Sequence, residues 1–187
     1  MSMITKLQYT ADHPTMLADL QKTLQMCFWP TASSTNPVAN QIGLTHRPNA
    51  QNKWLDASGS LIDRDTGAIL AKETDFSEIN DQLPEYTKSV LLQLAKDENF
   101  NIGRVRYMRL NPKTGLSIHA DQEERYHYVL NTSPYALFGE YTGEPELPAK
   151  CYHIPADGHF YHVNTRLPHF VYNGGREPRI HLVICKA

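Results

Sequence analysis

Two residues near the middle of the chain, His119 and Asp121, have the types and spacing of metal ligands. On a β-strand, residues two positions apart point to the same face, so this imidazole and this carboxylate can be directed at one point. Two histidines and one carboxylate on one side of a metal leave other positions open, and this facial arrangement is diagnostic of non-haem Fe(II) oxygenases. The pair alone is equally consistent with the solvated end of a strand.

The second histidine of such a triad must come from a distant segment. Four histidines of the C-terminal region are candidates: His153, His159, His162 and His169. We favour His169 because Arg179 follows it ten positions later. Many oxygenases with this triad use a co-substrate that chelates iron through a 2-oxo acid group and carries a carboxylate at its other end. A planar guanidinium can hold that carboxylate through two parallel hydrogen bonds.

Two segments place basic side chains on one face of a predicted strand. In residues 179–184, isoleucine and leucine alternate with the residues that share a face with Arg179. In residues 125–130, Arg125 and His127 lie opposite a face of tyrosine and leucine side chains. The ordinary interpretation is a solvated face above an apolar one. The functional interpretation directs both basic faces at the metal, where they would suit carboxylate groups.

Together these motifs resemble the aspartyl/asparaginyl β-hydroxylase family, a branch of the 2-oxoglutarate- and Fe(II)-dependent dioxygenases. The resemblance rests on His119-Ala-Asp121, on Arg125-x-His127-x-x-Leu130 and on the stretch from His169 to Leu182. It covers about residues 102–187. It implies a double-stranded β-helix, or jelly roll, and hydroxylation of an unactivated C–H bond by Fe(II), 2-oxoglutarate and O2. The family default is an Asp or Asn residue of a protein or peptide, and another amino acid is an open alternative.

The resemblance also implies a role for each motif residue. The iron ligands would be His119, Asp121 and His169. The residues that bind 2-oxoglutarate would be Arg179 at the distal carboxylate, with Arg125 and His127 at the iron-side carboxylate. No further catalytic residue is predicted.

Three other residues are candidates for contact with substrate. His162 and Asn164 are two positions apart and would share a cavity-facing side, although polar groups satisfied within the core are the commoner case. Trp54 would cover the site from the N-terminal half, although a mobile surface loop is the safer reading. Two other functions stay open at this point: a cupin-like metalloenzyme that does not use 2-oxoglutarate, and a non-catalytic jelly-roll binding module.

The secondary structure that must position these residues is predicted to change along the chain, from helices and loops in the first hundred residues to short strands after them. Helices are predicted over 14–27 and 84–97, with a long proline-containing loop over 30–52. From residue 102 the pattern favours short strands at 103–110, 117–121, 125–131, 135–141, 150–154, 159–163, 169–173 and 179–186. We therefore expect a mainly β protein with N-terminal helices, one domain over 1–187, in which 1–100 supports a jelly-roll core over 102–187.

Composition narrows the classes of function. The chain has 187 residues, 41% of them hydrophobic and 20% charged, as in globular proteins. Its net charge of −2 argues against a nucleic-acid partner. No apolar run approaches the length of a membrane span, so no membrane partner is expected. The three cysteines form no CxxC pair and no secretion signal is visible, so we expect reduced thiols and a cytoplasmic location.

Overall fold

The computed structural model describes residues 2–30, 39–63, 65–144 and 149–187. Two α-helices, α1 His13–Met26 and α2 Glu85–Asp97, accompany the strands, and a short 3-10 helix spans Glu73–Asp75. The strands are β1 Ile4–Thr10, β2 Ala39–Gly43, β3 Thr45–His46, β4 Glu78–Ile79, β5 Ile102–Leu110, β6 Thr114–His119, β7 Arg125–Asn131, β8 Ala136–Glu140, β9 Lys150–Tyr152, β10 His159–Val163, β11 His169–Asn173 and β12 Arg179–Lys186.

Two antiparallel sheets form the jelly roll that the sequence predicts. The larger has the order β1-β10-β7-β12-β5-β2, and the smaller has the order β6-β11-β8-β9. Side chains from both sheets meet in an inner cluster that includes Val129, Phe138, Tyr161 and Val171. The pair β3-β4 is separate from both sheets. The protein is therefore a mainly β sandwich with two helices, as predicted.

The helices cover the outer face of the larger sheet. Leu20 of α1 and Leu91 of α2 pack in one buried cluster with Tyr128 of β7 and Leu182 of β12. Because side chains alternate along a strand, the residues between these apolar positions must point into the sandwich. Asp12 caps α1, and its carboxylate accepts a hydrogen bond of 3.0 Å from the backbone N–H of Thr15.

The helix bounds agree with the prediction to within one residue, but the first hundred residues contribute more sheet than expected. β1 pairs with β10 and β2 pairs with β5, so both edges of the larger sheet come from this region. β2 lies inside the predicted loop over 30–52, of which residues 31–38 lie outside the described part. The sequence of β2 does not alternate between apolar and polar residues. This strand forms because it pairs with β5, which no local sequence pattern predicts.

Across the described residues, the search for membrane-spanning segments finds no helix with enough length and hydropathy to cross a bilayer.

Candidate metal centre

His119, Asp121 and His169 come together at one end of the sandwich. β6 ends at His119 and β11 begins at His169, and the two residues are direct partners in the antiparallel pair. Asp121 lies just beyond β6, where its backbone N–H donates a hydrogen bond of 2.8 Å to the carbonyl of Thr165. One ligand atom from each of the three side chains lies within 4.8 Å of the other two. The structure thus brings together the three residues that the sequence singles out.

Backbone carbonyls fix the orientation of both imidazoles. His119 Nδ1 lies 2.7 Å from the carbonyl oxygen of Ser117, and His169 Nδ1 lies 2.9 Å from that of Leu167. A carbonyl oxygen only accepts, so each Nδ1 carries the proton and each Nε2 keeps its lone pair. This is the tautomer that a metal-binding histidine needs.

The carboxylate of Asp121 offers one oxygen to the same point. Its Oδ1 lies 2.8 Å from Nη2 of Arg125. Its Oδ2 is buried, has no hydrogen-bond partner within the described ranges, and lies 3.7 Å from His169 Nε2. A buried carboxylate oxygen without a donor is costly. Two nitrogen lone pairs and one orphaned oxygen therefore converge, and a cation would satisfy all three.

Packing holds His169 in place. The ring of Phe138 stacks on it at 4.9 Å between centroids and 13° between planes, and the ring of His119 lies 4.3 Å away. His169 is buried, and this burial lowers the pKa of its imidazole below the ordinary value; the neighbouring His119 lowers it further, against the raising effect of the Leu167 carbonyl. The ring therefore stays neutral at neutral pH, as a metal ligand must be.

Arg125 lies directly behind Asp121 and is already paired. Its Nη2 also lies 3.0 Å from Oε1 of Glu73, which is buried in the short 3-10 helix. Burial lowers the pKa of Arg125, but the carboxylate charges of Asp121 and Glu73 and the hydrogen bond to Glu73 raise it, and the net pKa is raised. No sequence pattern points to Glu73, because it lies in a short 3-10 helix and is separated from Arg125 by 52 positions along the chain.

Arg179 lies deeper in the sandwich and has only a neutral partner. Its side chain is buried, and no ion pair joins it to any carboxylate in the described part of the chain. Its Nη2 donates to Nδ1 of His181 at 3.1 Å. Burial alone lowers the pKa of Arg179 to about 9. A guanidinium buried in this way lacks the anion that normally compensates its desolvation.

A short chain of hydrogen bonds extends from Arg179 through His181 to His127. Nδ1 of His127 lies 3.2 Å from Nδ1 of His181. Because Arg179 can only donate, His181 Nδ1 accepts, and His127 Nδ1 must carry the proton that it donates. Both rings are neutral, since burial first and the charge of Arg179 second lower their pKa values well below the ordinary value. The Nε2 atoms of both rings are buried without a partner among the residues described.

The two arginines do not flank one cavity. Arg125 lines an open cavity of about 350 Å³ beside His119 and Asp121. Arg179 instead lines a small closed space with His181, next to Phe138 and Ile154. The two guanidinium groups, which the functional interpretation directs at one metal, therefore line separate spaces.

The residues predicted to contact substrate do not line the open cavity beside the metal cluster. His162 points to the outer face of the larger sheet, where its Nε2 lies 2.9 Å from Glu124 Oε2, because Tyr161 and Val163 take the inner positions. Trp54 packs in the buried cluster between the helices and the larger sheet. Its Nε1–H donates a hydrogen bond of 3.2 Å to Oε1 of Gln82. Asn164 does not line the open cavity either. A role of these three residues in substrate binding therefore stays a prediction that the described geometry does not support.

Two of the other histidines considered as ligands bond elsewhere. Nδ1 of His153 lies 3.1 Å from the carbonyl of Ala136, and Nδ1 of His159 lies 3.0 Å from that of Leu7. The offset of ten residues between His169 and Arg179 selected the histidine that the structure brings to His119.

Comparison with solved structures finds proteins of similar fold. No protein-family model matches the sequence, and no curated protein matches it. A solved oxidoreductase of the 2OG-Fe(II) oxygenase family from Burkholderia pseudomallei aligns with 99% of this chain and 84% of its own, at 14% identity and a TM-score of 0.57. A prolyl hydroxylase from Trichoplax adhaerens, solved with a hypoxia inducible factor peptide fragment, aligns with 98% of this chain and 83% of its own, at 11% identity and a TM-score of 0.58. The chain shares their fold.

Proposed function

We propose that this protein is a 2-oxoglutarate- and Fe(II)-dependent dioxygenase that hydroxylates an unactivated C–H bond. One observation carries the proposal: three potential ligand atoms converge at His119, Asp121 and His169, while Arg179, inside the same sandwich, is a buried cation with no carboxylate partner in the described part of the chain. The co-substrate 2-oxoglutarate has a chelating end for the first group and a carboxylate for the second. The fold shared with two oxygenases agrees with this proposal.

The donor set fits iron. Two imidazole nitrogens and one carboxylate oxygen leave open positions for further ligands, and this set is typical of Fe(II) sites that bind O2. When bound, Fe(II) together with 2-oxoglutarate would supply the oxidation of the substrate. The backbone carbonyls of Ser117 and Leu167 hold the two imidazoles in the required tautomer.

Arg125 positions the carboxylate ligand in this proposal. Its guanidinium holds Asp121 Oδ1 at 2.8 Å, which leaves Oδ2 directed at the cluster. The second ion pair, to Glu73, anchors the guanidinium in turn. This role differs from contact with the iron-side carboxylate of 2-oxoglutarate, which the resemblance implies, because the charge of Arg125 is already compensated by two carboxylates.

Arg179 binds the distal carboxylate of 2-oxoglutarate in this proposal, and His181 and His127 shape the space beside it. An entering carboxylate would compensate the guanidinium, and a proton on His181 Nε2 is available as a further donor. The closed space at Arg179 must widen to admit the co-substrate. The resemblance to aspartyl/asparaginyl β-hydroxylases supports an Asp or Asn residue of a protein or peptide as the substrate.

Turnover of the co-substrate tests the proposal. The purified protein is incubated with Fe(II), 2-oxoglutarate and O2, and succinate is measured with and without peptides that contain Asp or Asn. We expect Fe(II)-dependent succinate release that a suitable peptide stimulates, and none from His119→Ala. Metal binding without any use of 2-oxoglutarate would favour a cupin-like enzyme, and no metal binding would favour a binding module.

A further inference from the structure

The open cavity beside the metal cluster contains more positive than negative charge. Five charged residues line it: Glu73, Arg104, Arg106, Asp121 and Arg125. Three of them are arginines and two are carboxylates, so the lining carries one uncompensated positive charge. The rest of the lining is polar or apolar and includes Gln41, Met108 and Leu116. An excess of one buried cation in a cavity favours the binding of an anion.

Among the described residues, Arg106 is the lining arginine without a carboxylate within ion-pair distance. Its charge still reaches Glu73: burial raises the pKa of that carboxyl, and the charges of Arg106, Arg125 and Arg104 together outweigh burial and lower it. Glu73 Oε1 lies 3.7 Å from Nη1 of Arg104 and 3.0 Å from Nη2 of Arg125, and Asp121 also pairs with Arg125. No carboxylate in the described part of the chain lies within 4.0 Å of Arg106. Its side chain is nevertheless buried, at 3% exposure.

The contacts of Arg106 are neutral and incomplete. Nη1 donates to Oε1 of Gln41 at 3.0 Å, Nη2 has only the sulfur of Cys185 at 4.0 Å, and Nε has no partner among the described residues. The excess charge also affects a neighbour: burial first, and the charge of Arg106 second, lower the pKa of Arg104 to about 9, although Glu73 opposes the shift. The cavity therefore holds a guanidinium with unused donors.

We propose that this cavity binds a carboxylate of the substrate through Arg106, next to the metal ligands. The inference rests on the proposed function and deepens it, since it selects an acidic substrate residue over its amide. One uncompensated cation matches a carboxylate, which is a monoanion, better than a phosphate group with nearly two charges. The planar guanidinium also matches the geometry of a carboxylate. This site is distinct from that of Arg179, which lines a different space.

Binding of two nearly isosteric peptides tests this proposal. Mn(II)-loaded protein with saturating 2-oxoglutarate is titrated calorimetrically with acetyl-Gly-Asp-Gly-amide and with acetyl-Gly-Asn-Gly-amide. A hydrogen-bonded charge contributes enough for the Asp peptide to bind about 10- to 100-fold more tightly than the Asn peptide. Arg106→Gln should bring this ratio close to one, and the exposed Arg176→Gln is the matched control that keeps it. A phosphoserine peptide is the third probe, and we expect it to bind more weakly than the Asp peptide.

Several outcomes would overturn the proposal. The first two are equal affinities of the Asp and Asn peptides for the wild type, and an affinity ratio that does not change in Arg106→Gln. The others are tighter binding of the phosphoserine peptide than of the Asp peptide, and displacement of the Asp peptide by added 2-oxoglutarate. The last result would assign Arg106 to the co-substrate.

Two further measurements test the proposal when Arg106→Gln is unstable or when the proposed function fails. Arg106→Lys keeps the charge but not the planar fork, so its Asp/Asn ratio should fall between those of the wild type and Arg106→Gln. The same titrations on metal-free protein report on the cavity alone. If 2-oxoglutarate fails to bind while the Asp preference persists, the proposed function fails and the carboxylate site stands.

Discussion

Arg125 and Arg179 both occupy the first position of their strands, the first partly buried and the second buried, yet their surroundings differ. Arg125 bridges two carboxylates, and its pKa is raised because these charges outweigh the effect of burial. Arg179 donates to a neutral imidazole, and burial lowers its pKa to about 9. A folded protein compensates a buried charge unless something outside the chain does so. The contrast therefore indicates that Arg125 serves the structure of the metal cluster, whereas Arg179 requires an external anion.

Among the predicted effects, the loss of metal binding after removal of a metal ligand should be the largest. His119→Ala should abolish tight binding of Mn(II) or Fe(II), because two remaining ligands do not hold a divalent metal firmly. The free energy of unfolding should change by no more than about 1–2 kcal/mol, since the half-buried ring contributes little packing. Metal binding is measured by equilibrium dialysis and stability by urea unfolding. His159→Ala is the matched control, and equal metal loss in both variants would refute the assignment.

Truncation of Arg179 should come next in size. Arg179→Ala should weaken binding of 2-oxoglutarate by about 2–5 kcal/mol, because the distal carboxylate would enter a desolvated space without a cation. Arg179→Lys should restore part of the loss. Titration of the Mn(II)-loaded protein gives the dissociation constants, with Arg166→Ala and Arg176→Ala as controls. If Arg176→Ala removes binding and Arg179→Ala does not, the offset from His169 identifies the wrong arginine.

Replacement of each arginine by methionine sharpens the comparison, since the two changes should shift stability in opposite directions. Arg125→Met leaves Asp121 and Glu73 short of a cation and should destabilise the protein by about 3 kcal/mol. Arg179→Met removes an uncompensated cation and should stabilise it by about 1–3 kcal/mol. Urea unfolding of the metal-free proteins without 2-oxoglutarate measures both values. Destabilisation of equal size in both variants would contradict the contrast.

A pH dependence of stability is the smallest expected effect. The folded-state pKa values of His127 and His181 lie well below the ordinary value of 6.5. Below pH 6.5 both histidines are therefore protonated in the unfolded chain while they stay neutral in the folded protein. The contribution of these two histidines to the free energy of unfolding is therefore complete above pH 6.5 and is lost as the pH falls below it. Each histidine contributes a slope approaching about 1.4 kcal/mol per pH unit. His181→Gln should reduce the slope between pH 6.5 and 5 by this amount in unfolding titrations, and an unchanged slope would show that His181 is protonated when folded.

The sequence was most informative where alternation and motif spacing coincide. Ile180 and Leu182 alternate with Arg179 and His181, and the structure places the basic residues inside the sandwich, as the functional interpretation of this alternation expects and the solvated-face interpretation does not. The His119-x-Asp121 spacing pointed to the metal cluster, although Asp121 lies just beyond the end of β6 and is held there by its backbone hydrogen bond to Thr165.

Other features depended on tertiary contacts that no local pattern records. Glu73 reaches Arg125 from an irregular segment, and β2 joins the sheet without an alternating sequence. His162 was misplaced because spacing alone does not decide which face of a strand points inward. Arg104 and Arg106 alternate with the core residues Val105 and Tyr107 in the same way, so the inward direction of these two arginines does have a signal in the sequence.

Anaerobic binding of 2-oxoglutarate tests the central claim most directly, because it involves the metal ligands and Arg179 at once. Calorimetric titration of 2-oxoglutarate is compared between metal-free and Fe(II)-loaded wild-type protein. The account predicts tight, stoichiometric binding that requires the metal and that is lost in His119→Ala. Equal binding with and without Fe(II), or no binding to the loaded protein, would contradict it.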